Sequence, residues 1–281
     1  MEKTDAAEGF RVYVEETLDA LEAEPGRDIL VHHERRLTAG EFRALVYRMA
    51  RVLQARGLGR GSTVTLLCGN MPETIAVRYA ANLIGCRVNQ LYQQLSAEVQ
   101  AAIVRDVETR ALIVDPRFAD RAEEVTERAP VETVLTLGPA HLGEDLLQLT
   151  AEQSADPFPA LARPEDVCVI RHTGGTTGHP KGICTTFGQA SGFKGVLPRE
   201  EQVISRQLVC TTLAHAAGML ADATLREGGA VVLLDEFEPG AVLAAIERER
   251  ITDLFVMPPR CSTASWTTPT PTAPTPPASG A

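Results

Sequence analysis

The 281-residue sequence predicts an α/β fold, with largely parallel sheets flanked by helices in two subdomains. Two observations carry this. Short β-branched runs alternate with stretches that repeat apolar residues at helical spacing, the order that builds parallel sheets through crossover helices. In addition, Val64-Thr-Leu-Leu-Cys68 is nearly all apolar, as a strand covered on both faces must be.

Taken in order, Phe10, Val14, Leu18 and Leu21 mark an amphipathic helix that Pro25-Gly26 stops, and Ile29–Val31 is a short strand. Thr38-Ala-Gly-Glu41 has the spacing of a capping box, and Phe42, Leu45, Val46, Met49 and Leu53 give the helix behind it one buried face. Gly57 follows as its C-terminal cap. After strand 64–68, Asn70 is placed to cap a helix from Pro72 to Ile84. Arg87–Tyr92 reads as a strand, and Ser96 caps helix 97–107. Strand 111–114, helix 118–129 and strand 133–137 complete the first half, and residues 138–164 read as a linker. The second half gives strands 167–170, 183–186, 207–213, 230–234 and 253–256, with helices 215–226 and 239–249. The expected division is a first subdomain over 1–160, a second over 161–258, and a disordered Pro/Thr-rich tail over 259–281.

A net charge of −10 and an acidic pI speak against a general nucleic-acid or anionic-membrane surface. No apolar run reaches bilayer length, and Met1-Glu-Lys-Thr-Asp5 is no secretory signal. Six scattered cysteines without a Cys-x-x-Cys pair predict reduced, mostly buried thiols in a cytoplasmic protein.

The densest chemistry lies in Ile170-Arg-His-Thr-Gly-Gly-Thr-Thr-Gly-His-Pro-Lys-Gly182. Glycine reaches backbone conformations that turn successive N–H groups toward one anion, threonine hydroxyls add donors, and Lys181 adds a mobile charge. An ordinary turn between strands is the plain alternative, but Thr173, Gly174, Gly175, Thr176, Thr177 and Gly178 followed by Pro-Lys-Gly suit a polyphosphate cradle better. A Walker loop does not fit. Five residues after Gly174 or Gly175 stand His179 or Pro180, Lys181 is followed by Gly182, and the next residues read as a strand. The geometry expected is therefore strand–loop–strand.

This segment resembles the phosphate-loop signature of the adenylate-forming superfamily, usually Tyr-Thr-Ser-Gly-Thr-Thr-Gly-x-Pro-Lys-Gly. Thr173, Gly175, Thr176, Thr177, Gly178, Pro180, Lys181 and Gly182 match it; His172 replaces an aromatic and Gly174 a serine. Leu37–Leu67 and Gly228–Pro259 are similar to flanking stretches of the same family, whereas Asn89-Gln-Leu-Tyr-Gln-Gln94 departs from its proline-flanked pattern. Thr211-Thr-Leu-Ala-His-Ala-Ala-Gly-Met219 is similar to a second motif, which makes His215 and Gly218 candidates for the substrate pocket.

The resemblance implies the N-terminal portion of an acyl-CoA synthetase-like enzyme. ATP and Mg²⁺ would serve, a carboxylic acid would become an acyl-adenylate, and coenzyme A or a carrier-protein thiol would take the acyl group. The family's Tyr-Gly-x-Thr-Glu segment, ribose-binding aspartate and catalytic lysine do not occur in these 281 residues, so no catalytic residue or metal ligand is named. The expectation is a truncated chain impaired in turnover, whose tail reflects a frameshift or truncation; the alternative is a fragment that binds nucleotide phosphate or a partner without catalysis.

Other candidates have plainer readings. Glu15-Glu16 and Glu123-Glu124 suit solvated helix faces, no serine sits in a Gly-x-Ser-x-Gly context, and adjacent His32-His33 is not spaced for a metal.

Overall fold

The structure, a computed structural model, describes residues 10–173, 181–193 and 204–255. The chain opens with α1 (Tyr13–Ala20), then β1 (Asp28–His32), β2 (Arg35–Thr38), α2 (Ala39–Ala55), β3 (Thr63–Leu67), α3 (Pro72–Leu83) and β4 (Arg87–Gln90). It continues with α4 (Ala97–Asp106), β5 (Thr109–Val114), α5 (Ala119–Arg128), β6 (Thr133–Thr136), β7 (Glu144–Asp145) and α6 (Leu146–Thr150). The remainder is β8 (Val167–Thr173), β9 (Lys181–Thr186), α7 (Phe187–Gly192), β10 (Arg206–Val209), α8 (Ala216–Arg226), β11 (Ala230–Leu233), α9 (Pro239–Glu249) and β12 (Asp253–Leu254).

Among the described residues these strands form two sheets, ordered β7-β6-β5-β3-β4-β8-β9 and β12-β10-β11-β1-β2. All pairings are parallel except β8–β9 and β1–β2. The α/β fold with largely parallel sheets is as the sequence predicts. The subdomain boundary expected near residue 160 is crossed in both directions. β1 leaves the first half to pair with β11 of the second, while β8 and β9 extend the sheet built around β3. Hydrophobic periodicity finds a strand but does not say which distant edge it joins.

Alternation along each strand sorts the core into layers. Val64, Leu66, Ala111 and Ile113 face the space between the sheets, as do Val209, Val231 and Leu233 of the other sheet. Helices α1, α2, α3 and α8 contribute to that central layer, where Tyr79 packs edge-on against Tyr13 and Phe42. On the far side of the first sheet, Leu67, Leu112 and Val114 meet α4 and α5. On the far side of the second, Val31, Leu208 and Val232 meet α9. Buried on both sides, these strands need not alternate polar with apolar residues.

Several local signals hold. Thr38 accepts from the Glu41 N–H while the Glu41 carboxylate accepts from the Thr38 N–H, and Ser96 accepts from Val99 N–H. Gly57 takes the left-handed conformation, φ 74°, just past α2. Asn70 does something else. Met71 occupies the N-cap position of α3 without a side-chain bond, and Asn70 spans to the second sheet. Glu15 and Glu16 are not a solvated face: Glu15 accepts from Ala160 N–H and Glu16 pairs with Arg226. The expected linker contains β7 and α6. The tail over 259–281 lies outside the described residues.

Candidate functional site

Parallel strands gather their C-terminal ends along one edge of a sheet, and the loops there form the usual ligand crevice of open α/β folds. Here the edges of both sheets adjoin. Asn70, just after β3, donates from Nδ2 to the carbonyls of Thr211 and Leu234, both at 2.9 Å, and accepts from Leu213 N–H at 3.1 Å. Arg117, after β5, donates to Asp235, after β11, at 2.8 Å and is itself held by buried Asp115. These contacts fix the loops after β3, β5, β10 and β11 against one another.

β8 and β9 form the expected antiparallel hairpin, with Thr173 opposite Lys181 at its neck and residues 174–180 joining them. β8 runs parallel to β4, so the Thr173–Lys181 neck lies at the C-terminal edge of the first sheet. Lys181 is exposed at that neck. Gly174, Gly175, Thr176, Thr177 and Gly178 lie outside the described residues, as does the Thr173 side chain.

At the root of the hairpin, successive residues of β8 face opposite layers. His172 is half-buried, burial lowers its pKa, and its Nδ1 has no hydrogen-bond partner among the described residues. Arg171 donates to Thr185 Oγ1 at 3.3 Å and lines a cavity of about 150 Å³ with Tyr13, Phe193, Asp222 and Arg226. Burial and, next, the Arg78 charge lower its pKa.

His215 precedes α8 and is exposed, with its ring 5.7 Å from that of Tyr92 in the loop after β4. Desolvation by its surroundings, then the Arg171 charge, hold the imidazole below its ordinary pKa and favour its neutral form. Gln93 and Gln90 secure this loop by donating to the Cys68 carbonyl, at 2.6 and 3.5 Å. The segment that departs from the family's proline pattern thus gains its order from side-chain hydrogen bonds.

Gly218 lies buried one turn into α8. A Cβ there would stand 2.2 Å from the Leu213 carbonyl oxygen and 2.9 Å from Arg78 Nη1. The bare backbone makes room for the protein's own atoms. Gly218→Ala is therefore expected to cost about 1–3 kcal/mol, because a backbone carbonyl must move. Urea unfolding checks it; unchanged stability would contradict the close approach.

Sequence reasoning missed Asn70 as a clamp, Tyr92 as the neighbour of His215, and Arg171. It also missed Asp235, whose carboxylate accepts from Arg117 and meets the rings of His32 and His33. Burial raises this carboxyl, but those hydrogen bonds outweigh burial and bring its pKa down from 3.8 to about 2. A depressed folded-state pKa adds stability that is present above the ordinary carboxylate value and lost as pH falls through about 2. The stability gap between the native chain and Asp235→Asn should thus narrow from pH 5 to pH 2 in denaturant titrations. An equal gap at both would contradict this.

Among the described residues Cys68, Cys86, Cys168 and Cys210 are buried thiols, as expected, and burial pushes Cys86 and Cys168 up to about 12. Cys184 on β9 is free and exposed.

Comparison with known proteins places this geometry. The AMP-binding enzyme family matches residues 18–268, most of the chain. The chain belongs to that family. The match extends beyond Pro259, the last residue of the family-like stretches in the sequence. The medium/long-chain-fatty-acid–CoA ligase FadD8 of Mycobacterium tuberculosis is 30% identical over 250 residues, 85% of this chain and 44% of that protein. A feruloyl-CoA synthase of an Amycolatopsis species is 33% identical over 230 residues, covering 79% of this chain and 44% of that one. The amide bond synthetase McbA of Marinactinospora thermotolerans superimposes with a TM-score of 0.77 at 32% identity, over 86% of this chain and 48% of McbA. The chain thus spans about half the length of the family relatives it matches.

Proposed function

We propose that this chain forms the triphosphate-binding part of an AMP-forming acid–thiol ligase. The observation that carries the reading is a family-matching hairpin whose Thr173–Lys181 neck stands at the C-terminal edge of a parallel sheet. In the reaction proposed, a carboxylate oxygen attacks the α-phosphorus of ATP, pyrophosphate leaves, and a thiol of coenzyme A or a carrier protein then displaces AMP. Nucleophile and triphosphate are both anionic, so the protein must neutralise charge and align the reacting oxygens. Thr173, Gly174, Gly175, Thr176, Thr177 and Gly178 would donate to the β- and γ-phosphates, with Lys181 supplying the charge. His215, neutral beside Tyr92, would face the acyl group, and Gly218 would let its turn pack closely.

Mg²⁺ prefers oxygen ligands. Among the described residues no set of three His, Cys, Asp or Glu donors converges at the hairpin, so no residue is assigned to it. Coenzyme A and carboxylic acids remain substrates by family likeness. A cytoplasmic setting suits the free cysteines. No helix among the described residues is long and apolar enough to cross a membrane.

ATP–pyrophosphate exchange with a panel of carboxylic acids tests the proposal. Exchange identifies an adenylating enzyme. The half-length match favours one second reading: ATP raises the melting temperature without exchange, and the chain binds phosphate without turnover. Neither exchange nor stabilisation by ATP would overturn both.

A further inference from the structure

We propose that His32, His33 and Asp235 form a binding site for a divalent transition-metal ion of the Zn²⁺ class, separate from the nucleotide crevice. Neighbouring residues of a strand point to opposite faces, which is why the His-His pair reads as no metal site in the sequence. The structure removes that objection at the β1–β2 turn. His32 ends β1, while His33 takes a left-handed conformation, φ 55°, unusual for a residue with a side chain. The turn folds the second ring against the first, with centroids 4.2 Å apart. β11 runs parallel to β1, with His32 opposite Leu233, and carries Asp235 to the same spot two residues later.

The result is a converging donor set. Asp235 Oδ1 lies 3.1 Å from His32 Nε2, and Oδ2 lies 2.8 Å from His33 Nε2. One ligand atom from each residue falls within 4.8 Å of the others. Zn²⁺ holds nitrogen and oxygen at about 2.0–2.2 Å, so adjacent ligand atoms stand roughly 3.0–3.5 Å apart. The two imidazole–carboxylate separations, one to each oxygen, stand at or just under that range, and the third donor pair lies within 4.8 Å. Two imidazoles and one carboxylate leave an open position for water and select borderline metals over Mg²⁺ or Ca²⁺.

A support for the carboxylate is already built. Arg117 donates to Asp235 Oδ1 and is anchored by Asp115, leaving Oδ2 for a metal. Such outer hydrogen bonds orient a ligating carboxylate. The Arg117 charge also opposes a cation, which gives the site a distinctive signature. His32 is only 15% exposed and fixed by its strand, whereas His33 is 62% exposed and the Asp235 carboxylate 35% exposed, so an ion can enter from solvent. Binding would use the Nε2 lone pairs that face Asp235, each neutral imidazole carrying its one proton on Nδ1 in the bound state. A bound ion would pin the β1–β2 turn to the end of β11.

The test is calorimetric titration of the full chain with Zn²⁺ at pH 7.5, with Mg²⁺ as control. One saturable equivalent of Zn²⁺ is expected, and none of Mg²⁺. His33→Ala and Asp235→Asn should each weaken it by about tenfold or more. Arg117→Gln keeps an N–H donor for the carboxylate while removing the opposing charge, so it should retain or tighten binding, an outcome that damage to the fold would not produce. Circular dichroism of each variant separates lost ligands from lost structure. No Zn²⁺ binding, or equal affinity in folded His33→Ala and Asp235→Asn, overturns the proposal. So does a Co²⁺ spectrum with a thiolate charge-transfer band that Cys184→Ser abolishes, since the metal would then sit on that exposed thiol.

Discussion

Asp222→Ala is expected to destabilise the chain by about 3–5 kcal/mol, the cost of stranding a buried charge. Asp222 on α8 and Arg78 on α3 meet between the two sheets, and both carboxylate oxygens accept from the Arg78 guanidinium. The two side chains are only 16% and 7% exposed. Burial works against the Arg78 charge, and Asp222 outweighs it, leaving the pKa above its ordinary value. Burial likewise pushes the Asp222 carboxyl up, against the pull of Arg78, Arg171 and Arg226. Each partner favours the charged form of the other, and removing the carboxylate leaves neighbouring arginines without their common counter-charge. Urea unfolding gives the loss directly. A double replacement, Arg78→Met with Asp222→Leu, should recover much of it, because an apolar pair strands no charge. If the double variant were as unstable as Asp222→Ala, the loss would lie in packing rather than charge.

Asn70→Ala is expected to cost about 3 kcal/mol or more. Its amide satisfies two carbonyls and one N–H from two loops of the second sheet, those after β10 and β11, and it is 2% exposed. Each buried group left without a partner costs roughly 1–3 kcal/mol. The change also frees the turn that holds His215, since Leu213 N–H loses its acceptor. Stability and hydrogen exchange of the Leu213 amide report the two effects separately. A protected Leu213 amide in Asn70→Ala would contradict the clamp.

Asn70 shows where sequence reading stops. An asparagine two residues before a proline looks like a helix cap, and locally that is sound. Its actual partners lie at Thr211, Leu213 and Leu234, more than a hundred residues away in sequence, and no spacing rule reaches them. Signals that act within a few residues were legible. The Thr38–Glu41 box, the Ser96 cap and helix Pro239–Glu249 all stand where their residues place them. The hairpin was legible too, because β-branched residues flank a glycine-rich loop. Strand partners were not. β1 carries the same apolar signal whichever edge it joins, so its union with β11, and the meeting of Asp235 with His32 and His33, emerge only in three dimensions.

The central claim is that the hairpin neck holds the β- and γ-phosphates of ATP. Lys181 is exposed on β9, and its strand pairing uses the backbone, so Lys181→Ala should leave stability within about 0.5 kcal/mol. A hydrogen bond to a charged group is worth about 1.5–3 kcal/mol, or roughly 10- to 100-fold in affinity. Titration of ATP and AMP into the native chain and Lys181→Ala is the direct measurement. The account predicts that the variant binds ATP about 10- to 100-fold more weakly while AMP affinity is nearly unchanged. Equal ATP affinity in the two proteins would contradict it.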